Sequence, residues 1–150
     1  MAHTLTNLII HAVFSTKGRE RAIDAELKER LMPYIGGIVA ELQGKTLAGN
    51  AMPDHVHLLL RLPAIASLSD MMRVVKTNPS RWIHETWPNR RTFGWQTGYG
   101  AFSVSQSNVP AVSRYIADQE QLHKRISFQE EYVRFLKKNG IEFDERFIWE

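Results

Sequence analysis

Between Leu5 and Thr16 the chain runs Leu-Thr-Asn-Leu-Ile-Ile-His-Ala-Val-Phe-Ser-Thr, rich in β-branched and aromatic residues, which predicts a long strand ended by Lys17-Gly18-Arg19. The apolar period then lengthens. Leu27, Leu31, Ile35, Ile38, Val39 and Leu42 recur at helical spacing behind Asp24, a residue suited to cap a helix N-terminus. Pro33 and the Gly36-Gly37 pair weaken the middle of that helix. Lys45–Ala51 and His55–Leu62 read as two strands joined through Met52-Pro53-Asp54 as a hairpin, with Pro63 closing the second. Ser67 or Ser69 can cap the next helix, which carries Leu68, Met71, Met72, Val75, Trp82 and Ile83. Pro79 predicts a kink or break in it near Asn78. Arg91–Ser105 mixes Gly94, Gly98 and Gly100 with aromatics and reads as a bent strand pair, or as a loop leading into a strand at Phe102–Ser105. Asn108, with Pro110 just inside, starts a helix that Val112, Tyr115, Ile116 and Gln119 continue. A last short helix spans roughly Phe128–Asn139 and ends at Gly140.

The order β-α-β-β-α-β-α-α matches, over its first six elements, a ferredoxin-like split βαβ sandwich. That is an α+β fold with an antiparallel sheet and helices packed on one face, here followed by a C-terminal helical extension. A length of 150 residues suits a single domain over 1–150, and no repeat or linker-like stretch divides it. The longest apolar runs, such as Leu8–Phe14 and Val56–Leu60, are far too short to span a bilayer, so no membrane partner is expected. No charged segment followed by an apolar one opens the chain, so no secretory signal is expected. Cysteine is absent, which excludes disulfides and thiolate metal sites and is compatible with the expected cytoplasmic location. Any metal must be held by His, carboxylate or amide groups.

The net charge of +3 is unevenly spread. Residues 61–91 carry Arg61, Arg73, Lys76, Arg81, Arg90 and Arg91 against only Asp70 and Glu85, whereas residues 118–150 are net acidic. A basic middle with Trp82, Trp87, Phe93 and Trp95 close by suits a polyanion that also offers flat faces to stack upon. Composition alone favours the plainer reading, a solvated helix face with ordinary core aromatics. Arg73, Lys76 and Arg81 are the candidates for phosphate contacts, and Trp95 for base stacking.

Two constellations carry chemistry. His55 and His57 stand two apart in a strand, so both imidazoles project from one face while Val56 points the other way. That places them at bite distance for one cation. A strand whose histidines face solvent accounts for the pair equally well. The second constellation is Tyr115 and Gln119, which at i and i+4 share one helix face. A phenol is a poor nucleophile near neutrality because its ordinary pKa is about 10, so a neighbouring cation or base must assist it. Gln119 offers a neutral oxygen of the kind Mg²⁺ or Mn²⁺ accepts. Taken alone, Tyr115 reads as an amphipathic helix residue with its hydroxyl in water.

In one small domain, a His-hydrophobic-His strand followed by a helical Tyr with Gln one turn later resembles the HUH single-tyrosine nucleases. Over nearly its whole length the chain is similar to transposases of the insertion-sequence 200/605 type, including the REP-associated tyrosine transposases. The likeness rests on His11-Ala12-Val13-Phe14-Ser15-Thr16-Lys17 and on Met52-Pro53-Asp54-His55-Val56-His57-Leu58-Leu59. It continues through the stretch from Trp95 to Ser105 and through Tyr115-Ile116 with Gln119-Glu120. Members commonly follow the Gln-Glu pair with two adjacent histidines. This chain has Gln121-Leu122-His123, which leaves only His123 for any part such a histidine plays in binding DNA or metal.

The resemblance implies that His55, His57 and Gln119 hold one Mg²⁺ or Mn²⁺ against a scissile phosphate. Tyr115, on the C-terminal extension, would attack in line, leaving a 5′-phosphotyrosine and a free 3′-hydroxyl, and the retained bond energy would allow rejoining without ATP. Single-stranded DNA bearing hairpins is the implied substrate. A homodimer is the implied assembly, with a monomer as the alternative, and the site could be completed within one chain or by the tyrosine helix of another. Asp54 reads first as a turn residue and second as an orienting partner for an imidazole, and His11 reads as a structural histidine. Competing readings are a non-catalytic DNA- or RNA-binding ferredoxin-like module and a domesticated HUH nickase. A histidine-triad nucleotide hydrolase is disfavoured because position 59 is Leu.

Overall fold

Alternation along β1 (Leu8–Ser15) sends Ile10, Ala12 and Phe14 to one side of a sheet and Ile9, His11 and Val13 to the other. These positions come from a computed structural model that describes residues 3–149, so the domain expected over 1–150 reaches past the described residues at both ends. The remaining elements are α1 (Ala25–Glu41), β2 (Lys45–Met52), β3 (His55–Leu62), α2 (Leu68–Thr86), β4 (Gly100–Ser103), α3 (Val109–Ala117), α4 (Gln119–Leu122) and α5 (Phe128–Lys138). The four strands form one sheet in the order β2-β3-β1-β4, and every neighbouring pair is antiparallel. The expected ferredoxin-like α+β arrangement holds. No described helix is long and apolar enough to cross a membrane.

Helices α1 and α2 cover the face that carries Ala12, Phe14, Val56, Leu58 and Leu60, burying Leu27, Leu31, Ile35, Met71, Met72, Val75 and Ile83 against it. The opposite face carries His11, Val13, His55, His57 and Leu59. It is covered by the C-terminal helices through Ile116, Phe128, Tyr132 and Leu136. Both faces of the sheet are therefore closed to bulk water, which is why β3 is buried along almost its whole length rather than alternating.

Several local expectations give way to tertiary packing. Neither Pro33 nor Pro79 breaks its helix, and α1 runs unbroken through Gly36-Gly37. An internal proline costs roughly 3 kcal/mol, but here the two helices are pinned together beside both prolines. Tyr34 stacks on Trp82 at 4.2 Å, and Arg30 lies over the rings of Trp82 and Trp87. The first strand starts at Leu8 rather than Leu5. The last strand is Gly100–Ser103 rather than Phe102–Ser105: its register on β1 runs from Val13 to Ile10, one further bond joins Val104 N to the Ile9 carbonyl at 3.0 Å, and the chain then enters a 3₁₀ turn at Gln106–Asn108. Helix α3 begins at Val109 without a side-chain cap from Asn108. It stops at Ala117, so Gln119 opens the separate short helix α4 instead of continuing the tyrosine helix.

Gly100 shows how closely α5 sits on the sheet. A methyl group there would lie 2.9 Å from Cε1 and 3.0 Å from the hydroxyl of Tyr132, a buried residue of α5. Gly100→Ala is expected to lower stability by about 1–3 kcal/mol, the usual cost of overpacking, measured as a shift in urea midpoint at unchanged slope. An unchanged midpoint would mean that α5 stands off the sheet.

Candidate metal centre and tyrosine site

The hairpin between β2 and β3 sets the site. Its turn places Asp54 directly before His55, and β3 then projects His55 and His57 from one face as expected, with neither ring exposed to solvent. Across the sheet His57 pairs with Val13 of β1 and with Asn50 of β2. The Asn50 amide donates to the Ile116 carbonyl at 2.8 Å, and Ile116 packs on Ile9 and Leu59. These contacts anchor α3 over the histidines with the half-buried Tyr115 facing inward.

Three further residues converge there. Gln119 Oε1 lies 3.1 Å from His55 Nε2, even though α3 and α4 are not one helix. Glu131 of α5 was not foreseen. Its Oε1 is 3.1 Å from His57 Nε2 and 3.4 Å from His55 Nε2, and its Oε2 accepts from Gln119 Nε2 at 2.8 Å and from the Tyr115 hydroxyl. Among the described residues, His55, His57 and Glu131 have ligand atoms within 4.8 Å of one another, a spacing that can hold a metal ion. His123 stands beside this group without being one of the three, with Nε2 2.9 Å from Gln119 Oε1 and 3.1 Å from Glu131 Oε1. The readable sign of Glu131 was its place on α5. It lies on the helical stripe of Phe128, Tyr132 and Leu136, where an apolar side chain is the rule.

The hydrogen bonds behind the rings show what this centre accepts. His55 Nδ1 lies 2.7 Å from the Asp54 carboxylate and His123 Nδ1 lies 2.9 Å from the Ile126 carbonyl. Both partners are acceptors, so each ring carries a hydrogen on Nδ1 and turns Nε2 inward. Asp54 is thus both a turn residue and an orienting partner. His57 Nδ1 meets His11 Nε2 at 2.8 Å, which brings His11 into the same network. The amide of Gln119, with its nitrogen turned to Glu131, also presents oxygen inward. Imidazole nitrogens and oxygens thus converge on one buried space, a donor set of the kind a cation accepts.

The titration behaviour follows from that crowding. Burial opposes charge on His55, but the Asp54 and Glu131 carboxylates outweigh it and carry the imidazole up to about 8. Burial, reinforced by His57, takes His11 down to about 3, so it stays neutral. Burial also lowers His57, against the pull of Glu131. Burial would raise Glu131, yet hydrogen bonds from His123, His55 and His57 hold it well below the ordinary carboxylate range. Burial and the adjoining Glu131 carboxylate push the Tyr115 phenol far up, so it remains protonated in this arrangement.

Two clefts flank the centre. One of about 760 Å³ is lined by Arg21, Lys28, Asp54, His123 and Lys124, and a smaller one of about 180 Å³ by Tyr115, Glu131, Arg134 and Lys138. The four residues expected to contact DNA, Arg73, Lys76, Arg81 and Trp95, line a third groove of about 620 Å³, formed by α2 and the 95–99 segment. That groove shares no lining residue with His55, His57 and His123. Arg73 and Arg81 are exposed in it. Lys76 Nζ instead donates to the carbonyls of Gln96, Thr97 and Gly98 at 2.6, 3.2 and 2.7 Å, and burial draws it down to about 8. Trp95 lies edge-on to Phe14 and Phe93, and its buried Nε1 has no hydrogen-bond partner among the described residues.

Comparison with known proteins agrees with this architecture. The chain is 27% identical over 124 residues to the transposase for insertion sequence element IS200 of Salmonella typhimurium, covering 79% of this chain and 81% of that one. It is 25% identical over 114 residues to the ISDra2 transposase TnpA of Deinococcus radiodurans, covering 73% and 81%. In fold it is similar to a REP-associated tyrosine transposase solved bound to a REP hairpin, with a TM-score of 0.63 at 13% identity over 84% of this chain and 74% of that one. A crystal structure described as a transposase of Deinococcus radiodurans R1 gives a TM-score of 0.66 at 22% identity over 79% and 95%. Residues 4–119 match the family model for "Transposase IS200 like", and the chain belongs to that family.

Proposed function

We propose that this transposase cleaves and rejoins single-stranded DNA by metal-assisted tyrosine transesterification, with Tyr115 as nucleophile and His55, His57, Gln119 and Glu131 as the metal-holding residues. The observation that carries the reading is the Glu131 carboxylate. One of its oxygens faces the inward imidazoles while the other accepts from the Tyr115 hydroxyl, so the nucleophile and the cation-shaped space adjoin.

In the cleavage step the Tyr115 oxygen forms a bond to phosphorus as the bond from phosphorus to the 3′ oxygen breaks. The phenolic proton leaves toward Glu131 Oε2, its hydrogen-bond acceptor. The departing 3′ oxygen takes up a proton from solvent and becomes a hydroxyl, so the balance is one 5′-phosphotyrosine and one free 3′-hydroxyl. A bound divalent cation would supply the positive charge that offsets Glu131, favours the phenolate and polarises the phosphodiester. The cations Arg21, Lys28 and Lys124 at one opening and Arg134 and Lys138 at the other suit a phosphate backbone passing the centre. Arg73, Arg81 and Trp95, in the groove beyond α2, would hold DNA farther from the reacting phosphate, and Lys76 would shape that groove. Tyr115 reaches the histidines of its own chain, which supports a site assembled in cis. The fold likeness to a transposase bound to a REP hairpin supports a hairpin-bearing strand as substrate.

The test is to incubate labelled single strands bearing short hairpins with protein and Mn²⁺ and to analyse them on a denaturing gel. A covalent protein–DNA adduct with release of a 3′-hydroxyl fragment is expected. Tight binding without any adduct, across varied hairpins and metals, would instead favour a non-catalytic DNA-binding module.

A further inference from the structure

His123 lies in the C-terminal segment, beyond the residues 4–119 that the family model matches. Its partly buried ring is nevertheless held from two sides. The Nδ1 hydrogen is held by the Ile126 carbonyl at 2.9 Å, and the ring meets that of His55 edge to face at 4.7 Å. Its Nε2 therefore points at two oxygens, Gln119 Oε1 and Glu131 Oε1. His55 Nε2 faces the same two oxygens. The four nitrogen-to-oxygen separations run from 2.9 to 3.4 Å, the spacing of neighbouring ligands around one cation, so a metal ion there would take all four atoms.

We infer that His123 is a third imidazole ligand, giving a centre of three histidines, one amide oxygen and one carboxylate oxygen that selects a first-row transition ion of the Mn²⁺ class over Mg²⁺. This rests on the metal-holding reading of His55, His57, Gln119 and Glu131. Mg²⁺ prefers oxygen ligands and sheds its waters reluctantly, whereas imidazole nitrogen suits the transition series. Two histidines with a Gln and a Glu leave the choice open. A third imidazole shifts the majority of donors to nitrogen.

The experiment uses the full chain, stripped of metal and without DNA, titrated with Mn²⁺ alone and with Mg²⁺ alone by calorimetry. Pulsed electron paramagnetic resonance of the bound Mn²⁺ then counts coupled imidazole nitrogens. The expected result is at least ~10-fold tighter binding of Mn²⁺ than of Mg²⁺ and three imidazole couplings. His123→Ala should reduce the couplings to two and weaken Mn²⁺ by at least ~100-fold, more than the loss of a partner behind a ligand, with Mg²⁺ affected less. Two couplings in the wild-type protein, or equal affinity for the two ions, would overturn the role of His123 while leaving the metal centre in place. Binding of neither ion would overturn the metal-holding reading itself. The nitrogen count needs no variant, so it decides the matter even if His123→Ala folds poorly.

Discussion

Tyr115→Phe is expected to bind a hairpin-bearing strand as the wild-type chain does and to form no covalent adduct. The substitution removes one oxygen and leaves the ring, which keeps its edge contacts with His11, His57 and Phe135. Glu131 loses one donor but retains Gln119 Nε2 at 2.8 Å together with His57 and His123 at 3.1 Å. The fold should therefore lose no more than about 1 kcal/mol, the net worth of an ordinary hydrogen bond. Covalent cleavage should fall to background, a loss on the order of 10⁶ where a nucleophile is removed from an otherwise intact site. Gel analysis and a filter-binding isotherm on the same preparation separate the two effects. An adduct that persists in Tyr115→Phe would move the nucleophile to another side chain and remove the central assignment. A variant that loses both adduct and binding would show instead that the phenol holds DNA.

What could be read from the sequence about this site divides by range. His55, Val56 and His57 lie within one strand, so their facing follows from the backbone period alone, and the Pro53-Asp54 turn before them marked the hairpin. Burial was not readable there, because it depends on α5 folding back over the sheet. For the same reason Glu131 escaped the metal set proposed from the sequence, whereas His123, four residues after Gln119, was noted there for a part in binding DNA or metal. Glu131 reaches the centre through tertiary approach, and nothing within a few residues of it announces His57, 74 positions away. Glu131 did leave a trace, an acidic residue on the apolar stripe of Phe128, Tyr132 and Leu136. Gln119 illustrates the opposite case. Its expected place on the tyrosine helix is wrong in detail, since the helix ends at Ala117, yet its amide still reaches His55. The unbroken α1 and α2 share that cause: local proline penalties are outweighed by the Tyr34–Trp82 contact and the core beneath it.

His57→Ala tests the same centre from the metal side, and its effects on stability and activity should come apart. Loss of a partner behind a metal-binding histidine weakens affinity by about 10–100-fold, and a lost ligand weighs more. Mn²⁺ affinity should therefore fall by at least ~100-fold and metal-dependent cleavage with it. In metal-free protein the consequence is electrostatic. Glu131 is buried, and hydrogen bonds from His123, His55 and His57 hold it charged there. Removing His57 takes one of these away and also leaves His11 Nε2 without its partner at 2.8 Å. A cost of about 2–4 kcal/mol is expected, in the range for breaking a buried charge network. Because Glu131 is held below the unfolded carboxylate value of about 4.3, the stability it contributes is present above that pH and lost as pH falls through its folded value. The gap between wild type and variant should therefore narrow on acidification. Adding Glu131→Gln to His57→Ala removes the poorly compensated charge while keeping an amide of the same shape. The double variant should regain part of the lost stability in chelator-treated urea melts and none of the cleavage. A double variant less stable than His57→Ala alone would show that the cost comes from the cavity left by the ring and not from the stranded carboxylate.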